Sequence, residues 1–441
     1  MMNLRKLAFY LVLLCMIWFP MQDTVLSFLY RIYSGNYLFI LLILKEILII
    51  ISLCLLVFNF ILTYKLPFSK IEIFSFIYIA ICFFYFFSVK VEGSNIIAAS
   101  TSLRSLLLPV LLVLVGKFLM LSKKEIEIFV NTIIGMSIFS IFFGFIEITV
   151  PVEKFWNGIM DLYGFLTEIK GMSLHHFVKF VPGNFWGFVG ERRMAGLHGS
   201  PLALGYYLVL PFLITCALNK YRKEKSMFKF FILTIGIFLT ETRMAIISTL
   251  LGLVLLFKEE VLNFLLRHRI KKIAFFGFLV FVFLCFLFLF TFSSRIINFL
   301  YKTITIKEGR AIGHLNALKK SISVVDKFII KGAGIGTAGA WASIYGSEIK
   351  GMASENVYIP LMVQIGGMGL ILFLLWWYNC LKRLFLRYKQ EEESYLRKLI
   401  KAVLVANIVY FISGFVSEQI LTFTSVAHFW LLFGILIGYK R

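Results

Sequence analysis

The chain has few charged residues for its length. Only 15% of its 441 residues are Asp, Glu, Lys or Arg, whereas 60% are hydrophobic and 50 are Phe. The mean hydropathy is +0.90. A soluble domain does not carry this composition, because its surface needs many more polar side chains. The composition therefore excludes a soluble globular protein and indicates a polytopic membrane protein.

Acidic residues are especially scarce, with 23 Asp and Glu against 45 Lys and Arg, so that the net charge is +22. A charge of this size is also typical of a nucleic-acid-binding protein. Here, however, most of the basic residues lie in short segments between apolar runs on one predicted side of a membrane, which is the positive-inside pattern. We therefore expect no nucleic-acid partner.

Cysteine is confined to the apolar runs. The long hydrophilic segments contain none, which argues against a disulfide framework, and no cysteine has the spacing of a metal ligand. We expect neither a metal site nor a cofactor. The six cysteines are Cys15, Cys54, Cys82, Cys216, Cys285 and Cys380.

The first apolar run lacks the small-residue cleavage site of a signal peptide, so we interpret it as an uncleaved membrane span. Runs long enough to span as helices occur at about 7–29, 37–63, 71–89, 103–121, 126–149, 202–218, 227–241, 243–257, 273–292, 356–378, 401–414 and 425–438. The sequence thus predicts an all-α polytopic membrane protein with about twelve transmembrane helices. The predicted organisation is a five-helix region (1–149), a long loop (150–201), a four-helix region (202–292), a second long loop (293–355) and a three-helix region (356–441).

The distribution of Lys and Arg predicts the orientation. More than half of the 45 basic residues fall at the two termini and in the loops on the same side as the termini. The short loops on the other side hold only Arg31, Lys90, Arg104 and Arg243. We therefore expect both termini to be cytoplasmic and both long loops to lie outside the cytoplasm.

Two charged neighbours, Lys45 and Glu46, lie inside the second predicted span. Charge at membrane depth is costly and often functional. Neighbours in sequence point about 100° apart on a helix, so each can find a partner on another helix. We favour a structural ion pair over a transport site.

The two long loops differ in composition. The first, 150–201, is rich in aromatic residues and glycine, which predicts short amphipathic segments at the membrane interface. Its adjacent His175 and His176 have no further ligand at metal-binding spacing. The second loop contains the glycine-rich stretch 332–339, which lacks the strand–loop–helix context of a phosphate loop. That stretch predicts either a flexible connection or a close approach of two backbones.

Three stretches place arginine on the predicted outer side. The stretch 191–207 contains Arg192 and Arg193, the turn 240–245 contains Arg243, and the predicted helix 309–318 carries Arg310 and His314 on one face. The guanidinium group suits an anionic ligand, above all a phosphate. The alternatives are a basic lip that orients the helices and, for Arg243, a snorkelling anchor.

Together, four stretches resemble the O-antigen polymerase and O-antigen ligase superfamily of bacterial envelope glycosyltransferases. Each motif is weak alone, but their order and predicted side are shared with the family over residues 190–378. They are Arg193-Met194-Ala195-Gly196 with Ser200–Gly205, Thr242–Ala245, Gly309-Arg310 leading to Lys331–Gly336, and Glu355–Ile359 followed by Gly366–Leu370.

The resemblance implies a membrane glycosyltransferase with a GT-C-like helical architecture in the bacterial cytoplasmic membrane. Its implied donor is a sugar chain on undecaprenyl diphosphate, transferred without a metal. The implied diphosphate ligands are Arg192, Arg193, Arg243 and Arg310. Membrane lipid, a chain-length regulator and a flippase are the further partners that it implies.

The residue at the position of the ligases' catalytic histidine distinguishes the two branches of the family. Ligases typically carry a His-Asn-x-Tyr pattern, and this chain has Glu355 in the place of that histidine, before Asn356 and Tyr358. This difference favours a polymerase, which joins repeat unit to repeat unit, over a ligase. The base is then Glu355 or His314, between which the sequence does not choose. A lipid-linked oligosaccharide flippase is the alternative from another class, but it would place charges along a cavity through many spans.

Overall fold

The computed structural model describes most of the chain. The described residues are 4–33, 35, 37–63, 69–88, 95–172, 177–178, 180–186, 192–218, 226–258, 316, 318–319, 321–345, 349 and 356–439.

The described part of the chain is mainly helical. Its long helices are α1 (Leu4–Ile32), α2 (Leu38–Leu62), α3 (Lys70–Ser88), α4 (Ile96–Leu119), α5 (Lys123–Thr149), α6 (Pro201–Leu218), α7 (Ser226–Leu239), α8 (Arg243–Leu256), α9 (Tyr358–Gln390), α10 (Ser394–Ser413) and α11 (Phe423–Gly438). Shorter helical segments are Lys154–Ile159, Leu162–Gly164, Phe165–Ile169, Gly183–Phe185, Gly196–His198, Ala340–Ile344 and Glu418–Leu421. A small hairpin pairs β1 (Phe177–Val178) with β2 (Val181–Pro182) in antiparallel fashion.

Within the described residues, seven helices, α1 to α6 and α9, are long and apolar enough to cross a membrane, and α7, α8 and α11 are shorter apolar helices. The fold is therefore that of an all-α, membrane-embedded protein, as the composition predicts. The predicted span 273–292 lies outside the described residues, so the count of twelve spans stays a prediction.

Two ion pairs tie helix ends together at one end of the bundle. We call it the opposite end, because it lies away from the end that the first long loop covers. The guanidinium of Arg5, in α1, lies 2.9 Å from the carboxylate of Glu125 and also donates to the carbonyl of Met120, at the end of α4. Lys117 pairs with Glu72, joining the end of α4 to the start of α3. These contacts place the starts of α1, α3 and α5 beside the end of α4.

The other end of the bundle, which we call the loop end, is covered by the described residues of the segment 150–200. Phe155, Trp156, Phe165 and Phe185 from this segment are buried in a second apolar core together with residues of α1 and α2. The described residues form short helical turns here, whereas the position of these segments at a membrane interface stays a prediction. The hairpin β1–β2 was not predicted.

Helices α4 and α11 pack with their backbones in direct contact. A Cβ atom added at Gly434 would collide with the carbonyl group of Val113, and one added at Gly116 would collide with the backbone of α11. Small residues allow this close approach of two helices in a membrane protein. The contact holds α11, and with it His428, firmly against the bundle.

The glycine-rich stretch 332–339 makes a close backbone approach, which was one of its two predicted interpretations. Ala333 N donates to Val363 O at 2.6 Å, and Gly336 N donates to the Gln364 side chain at 2.9 Å. Helix α9 is kinked at Gly366, whose φ of +68° favours glycine. The kink frees the carbonyls of α9 that this stretch binds.

Candidate functional site

A buried carboxylate organises the loop end. Glu147 lies in the last turn of α5 and its side chain is 0% exposed. One oxygen accepts from the Trp156 indole at 2.9 Å and from Arg192 Nη2 at 3.2 Å. The other oxygen accepts from the backbone N–H groups of Ala195 and Gly196, at 3.0 and 2.7 Å. These four donors offset part of the cost of burying a charge next to the negative end of a helix dipole.

Arg192 is bound on one side only. Its Nη2 atom contacts Glu147, but its Nε and Nη1 atoms are buried without a hydrogen-bond partner in the part of the chain that the structure describes. The side chain as a whole is 14% exposed, so it reaches the surface. Buried donors of a charged group are expensive to leave unpaired. Arg192 therefore has the capacity to bind a further acceptor.

Arg193, the next residue, is held on several sides. Its Nε donates to Thr240 O at 2.8 Å, its Nη1 to Asn184 O at 2.9 Å and its Nη2 to Thr242 Oγ1 at 2.9 Å. The side chain is buried. Arg193 thus fastens the segment before α6 to the turn between α7 and α8.

The turn between α7 and α8 brings Arg243 to the same region. Thr242 Oγ1 accepts from Arg193 and donates to Pro201 O at 3.1 Å, at the start of α6. Gly205 leaves room for the turn, because a Cβ there would lie 2.7 Å from the Cβ of Thr242. Arg243 follows as the first residue of α8 and is half-buried. Two of the three predicted arginine-bearing stretches therefore meet.

Arg310, from the third arginine-bearing stretch, lies outside the described residues. The two candidate general bases, His314 and Glu355, also lie outside them. Next to Glu355, Asn356 caps the start of α9, since its side-chain oxygen accepts from Ile359 N at 2.8 Å.

The charged pair in α2 belongs to a small network. Lys45 Nζ lies 3.4 Å from the Glu46 carboxylate and donates to Leu42 O at 3.0 Å. Glu46 is also 3.2 Å from Arg104 of α4. The sequence places Arg104 in a short loop, but α4 begins earlier, at Ile96, after the cap formed by Asn95. Arg104 is therefore in a helix, where it balances the charge of Glu46.

Three buried rings form a polar cluster that sequence reasoning missed. The Tyr207 ring lies 4.5 Å from that of His198 and 4.3 Å from that of His428, measured between centroids. His198 Nδ1 is 3.3 Å from Ser140 Oγ. The Nε2 atom of His198 and both nitrogens of His428 have no hydrogen-bond partner among the described residues. Burial lowers the pKa of His198 to about 3, so its imidazole is neutral at pH 7.

Glu147 was also missed, although the sequence holds a signal for it. A carboxylate in the last turn of an apolar helix opposes the helix dipole and needs donors nearby. No group of three or more His, Cys, Asp or Glu side chains suited to a metal ion occurs within the described ranges.

Comparison of the chain with known protein families gives no matching family model, and comparison with curated proteins gives no matching sequence.

Proposed function

We propose that this protein is an integral-membrane polysaccharide polymerase. It joins oligosaccharide repeat units, carried on undecaprenyl diphosphate, into O-antigen or capsular polysaccharide. The reaction takes place at the loop end, on the outer face of the bacterial cytoplasmic membrane, and both termini are cytoplasmic. Membrane lipid, a flippase that delivers the repeat unit and a chain-length regulator are its partners.

The observation that carries this proposal is the contact between two arginine-bearing stretches. Arg193 binds Thr240 and Thr242, and Arg243 follows directly in the chain. Arg192 lies next to Arg193, and two of its buried nitrogens have no hydrogen-bond partner among the described residues. Fixed cations at one place stabilise the negative charge that develops on a diphosphate leaving group.

In the proposed reaction, a hydroxyl oxygen of the acceptor sugar attacks the anomeric carbon of the donor sugar. The bond from that carbon to the diphosphate oxygen breaks, and undecaprenyl diphosphate leaves with the bonding electrons. A general base, Glu355 or His314, takes the proton of the hydroxyl. Arg192, Arg193, Arg243 and Arg310 bind or position the leaving group.

The experiment that tests this function is a gel of envelope polysaccharide from a strain lacking the protein. We expect the long-chain ladder to disappear while single repeat units remain, on their acceptor or on the lipid carrier. Full-length polymer that accumulates on the lipid carrier would instead identify a ligase. Repeat units retained on the cytoplasmic leaflet would identify a flippase, and both glycosyl-transfer functions would be wrong.

A further inference from the structure

We propose that Glu147 is a positioning residue that aims Arg192 at a phosphate group of the lipid-linked diphosphate, whereas Arg193 holds the site together. This inference rests on the proposed function and divides its arginines into two roles. The observation that supports it is the hydrogen bond from Nη2 of Arg192 to the carboxylate of Glu147.

The carboxylate of Glu147 has little freedom to move. Both of its oxygens accept two hydrogen bonds, and two of the four donors are backbone N–H groups at Ala195 and Gly196. The Trp156 indole, which is fully buried, fixes the remaining side. A group held in this way can set the orientation of the arginine that binds it, much as outer carboxylates orient metal-binding histidines.

Arg192 then presents its remaining donors in a fixed direction. A guanidinium has five N–H donors, and those on Nε and Nη1 have no acceptor in the described structure. Phosphate oxygens are strong acceptors and suit these donors in charge and geometry. A donor set that is already oriented needs no reorganisation when the ligand binds, which is the condition for effective electrostatic stabilisation.

Arg193 does not fit the same role. Three of its nitrogens already donate to Asn184, Thr240 and Thr242, which join three separate segments. Using these donors for a ligand would break the contact between the two arginine-bearing stretches. The adjacent arginines are therefore distinguished by their partners, although the sequence alone treats them alike.

The test is the binding of undecaprenyl diphosphate to the purified full-length protein in detergent, with thermal unfolding measured on the same samples. Arg192→Lys keeps a cation that can pair with Glu147 but lacks the additional donors. Glu147→Gln keeps the size of the side chain but loses the charge. We expect the apparent Kd to rise about tenfold or more in both variants, as for the loss of a hydrogen bond to a charged group.

Glu125→Gln is the control, because Glu125 also pairs with an arginine, Arg5, but at the opposite end. We expect its Kd to equal that of the wild type. The double variant with Arg192→Lys and Glu147→Gln should bind no more weakly than Arg192→Lys alone, since Glu147 acts through Arg192. Additive losses would mean that Glu147 acts on the fold in general and would overturn the positioning role.

The other outcomes are also decisive. If the wild type binds and both single variants stay within about twofold of it, the inference is wrong while the proposed function stands. If the wild type does not bind undecaprenyl diphosphate at all, the proposed function itself fails.

Where Glu147→Gln does not fold, Trp156→Phe removes one donor from the carboxylate. Unchanged binding in that variant would contradict the positioning role.

Discussion

The two ends of the helical bundle use charge differently. At the opposite end, Arg5 and Glu125 form a pair that also caps α4 and α5, and the pair is partly exposed. At the loop end, Glu147 is fully buried, and two buried nitrogens of its partner Arg192 have no acceptor in the part of the chain that the structure describes. The first pair therefore completes helix ends, whereas the second leaves donors of Arg192 without an acceptor among the described residues. Buried donors of this kind need an explanation, and the ligand site proposed above supplies one.

The largest difference between the two ends should appear when each carboxylate is removed. Glu147→Ala leaves four donors without their acceptor inside the protein, and we expect a loss of about 3–5 kcal/mol in the free energy of unfolding. Glu125→Ala, at the partly exposed end, should cost only about 1 kcal/mol. Thermal unfolding in detergent measures both. Equal losses would contradict the distinction between the ends.

Acid should weaken the loop end through His198. The pKa of this residue falls from about 6.5 in the unfolded chain to about 3 in the folded protein, because the imidazole is buried. Below pH 6.5 the unfolded state therefore binds the additional proton, so stability falls as the pH drops from 6.5 towards 3.

We expect His198 to account for about 2 kcal/mol of the stability lost between pH 6.5 and pH 5. His198→Asn should lose less stability over this range than the wild type does. The measurement is the melting temperature of both proteins at matched pH values. Parallel curves for the two proteins would show that His198 does not titrate in this way.

The neighbouring residues Arg192 and Arg193 should contribute differently to the stability of the protein. Arg193→Lys loses the geometry of three hydrogen bonds, and we expect it to lower the free energy of unfolding by about 1–2 kcal/mol. Arg192→Lys keeps a cation that can pair with Glu147, so we expect it to lower the free energy of unfolding by less than Arg193→Lys does. Chemical or thermal unfolding of the two variants, side by side, checks the difference. A larger loss in Arg192→Lys would reverse the roles assigned to the two residues.

The smallest effect is expected at His428. Both of its ring nitrogens are buried without a partner among the described residues, so replacing the ring with an apolar side chain removes no hydrogen bond to them. His428→Leu should therefore change the free energy of unfolding by no more than about 1 kcal/mol. A loss well above this value would mean that the nitrogens are bound in the native protein, and the cluster with Tyr207 would become a second polar site.

The helices could be predicted from the sequence because long apolar runs determine them. The sequence also predicted that the stretches around Arg193 and Arg243 lie on the same side of the membrane, but their contact through Thr242 is visible only in the structure. The pairing of Glu147 with Arg192 was not predicted. Glu147 lies 45 residues before Arg192 in the chain, and only the packing of the covering segment on α5 brings them together.

The start of α4 shows a similar limit. The predicted span begins only at residue 103, so Arg104 lies at its edge and is counted with the short loop before it. The structure continues the helix past it, since Glu46 on α2 compensates for the charge. Such compensation depends on a neighbouring helix, which no local pattern reveals. The same holds for His428, whose partner ring, Tyr207, comes from α6, far away in the sequence.

The most direct test of the account is the polysaccharide ladder from cells that carry one altered arginine at either end of the bundle. Arg192→Lys should abolish or greatly shorten the long-chain ladder at unchanged protein level, because it removes donors for the diphosphate. Arg5→Lys, at the opposite end, should leave the ladder intact. A full-length ladder in Arg192→Lys cells, at normal protein level, would contradict the assignment of the loop end as the diphosphate site.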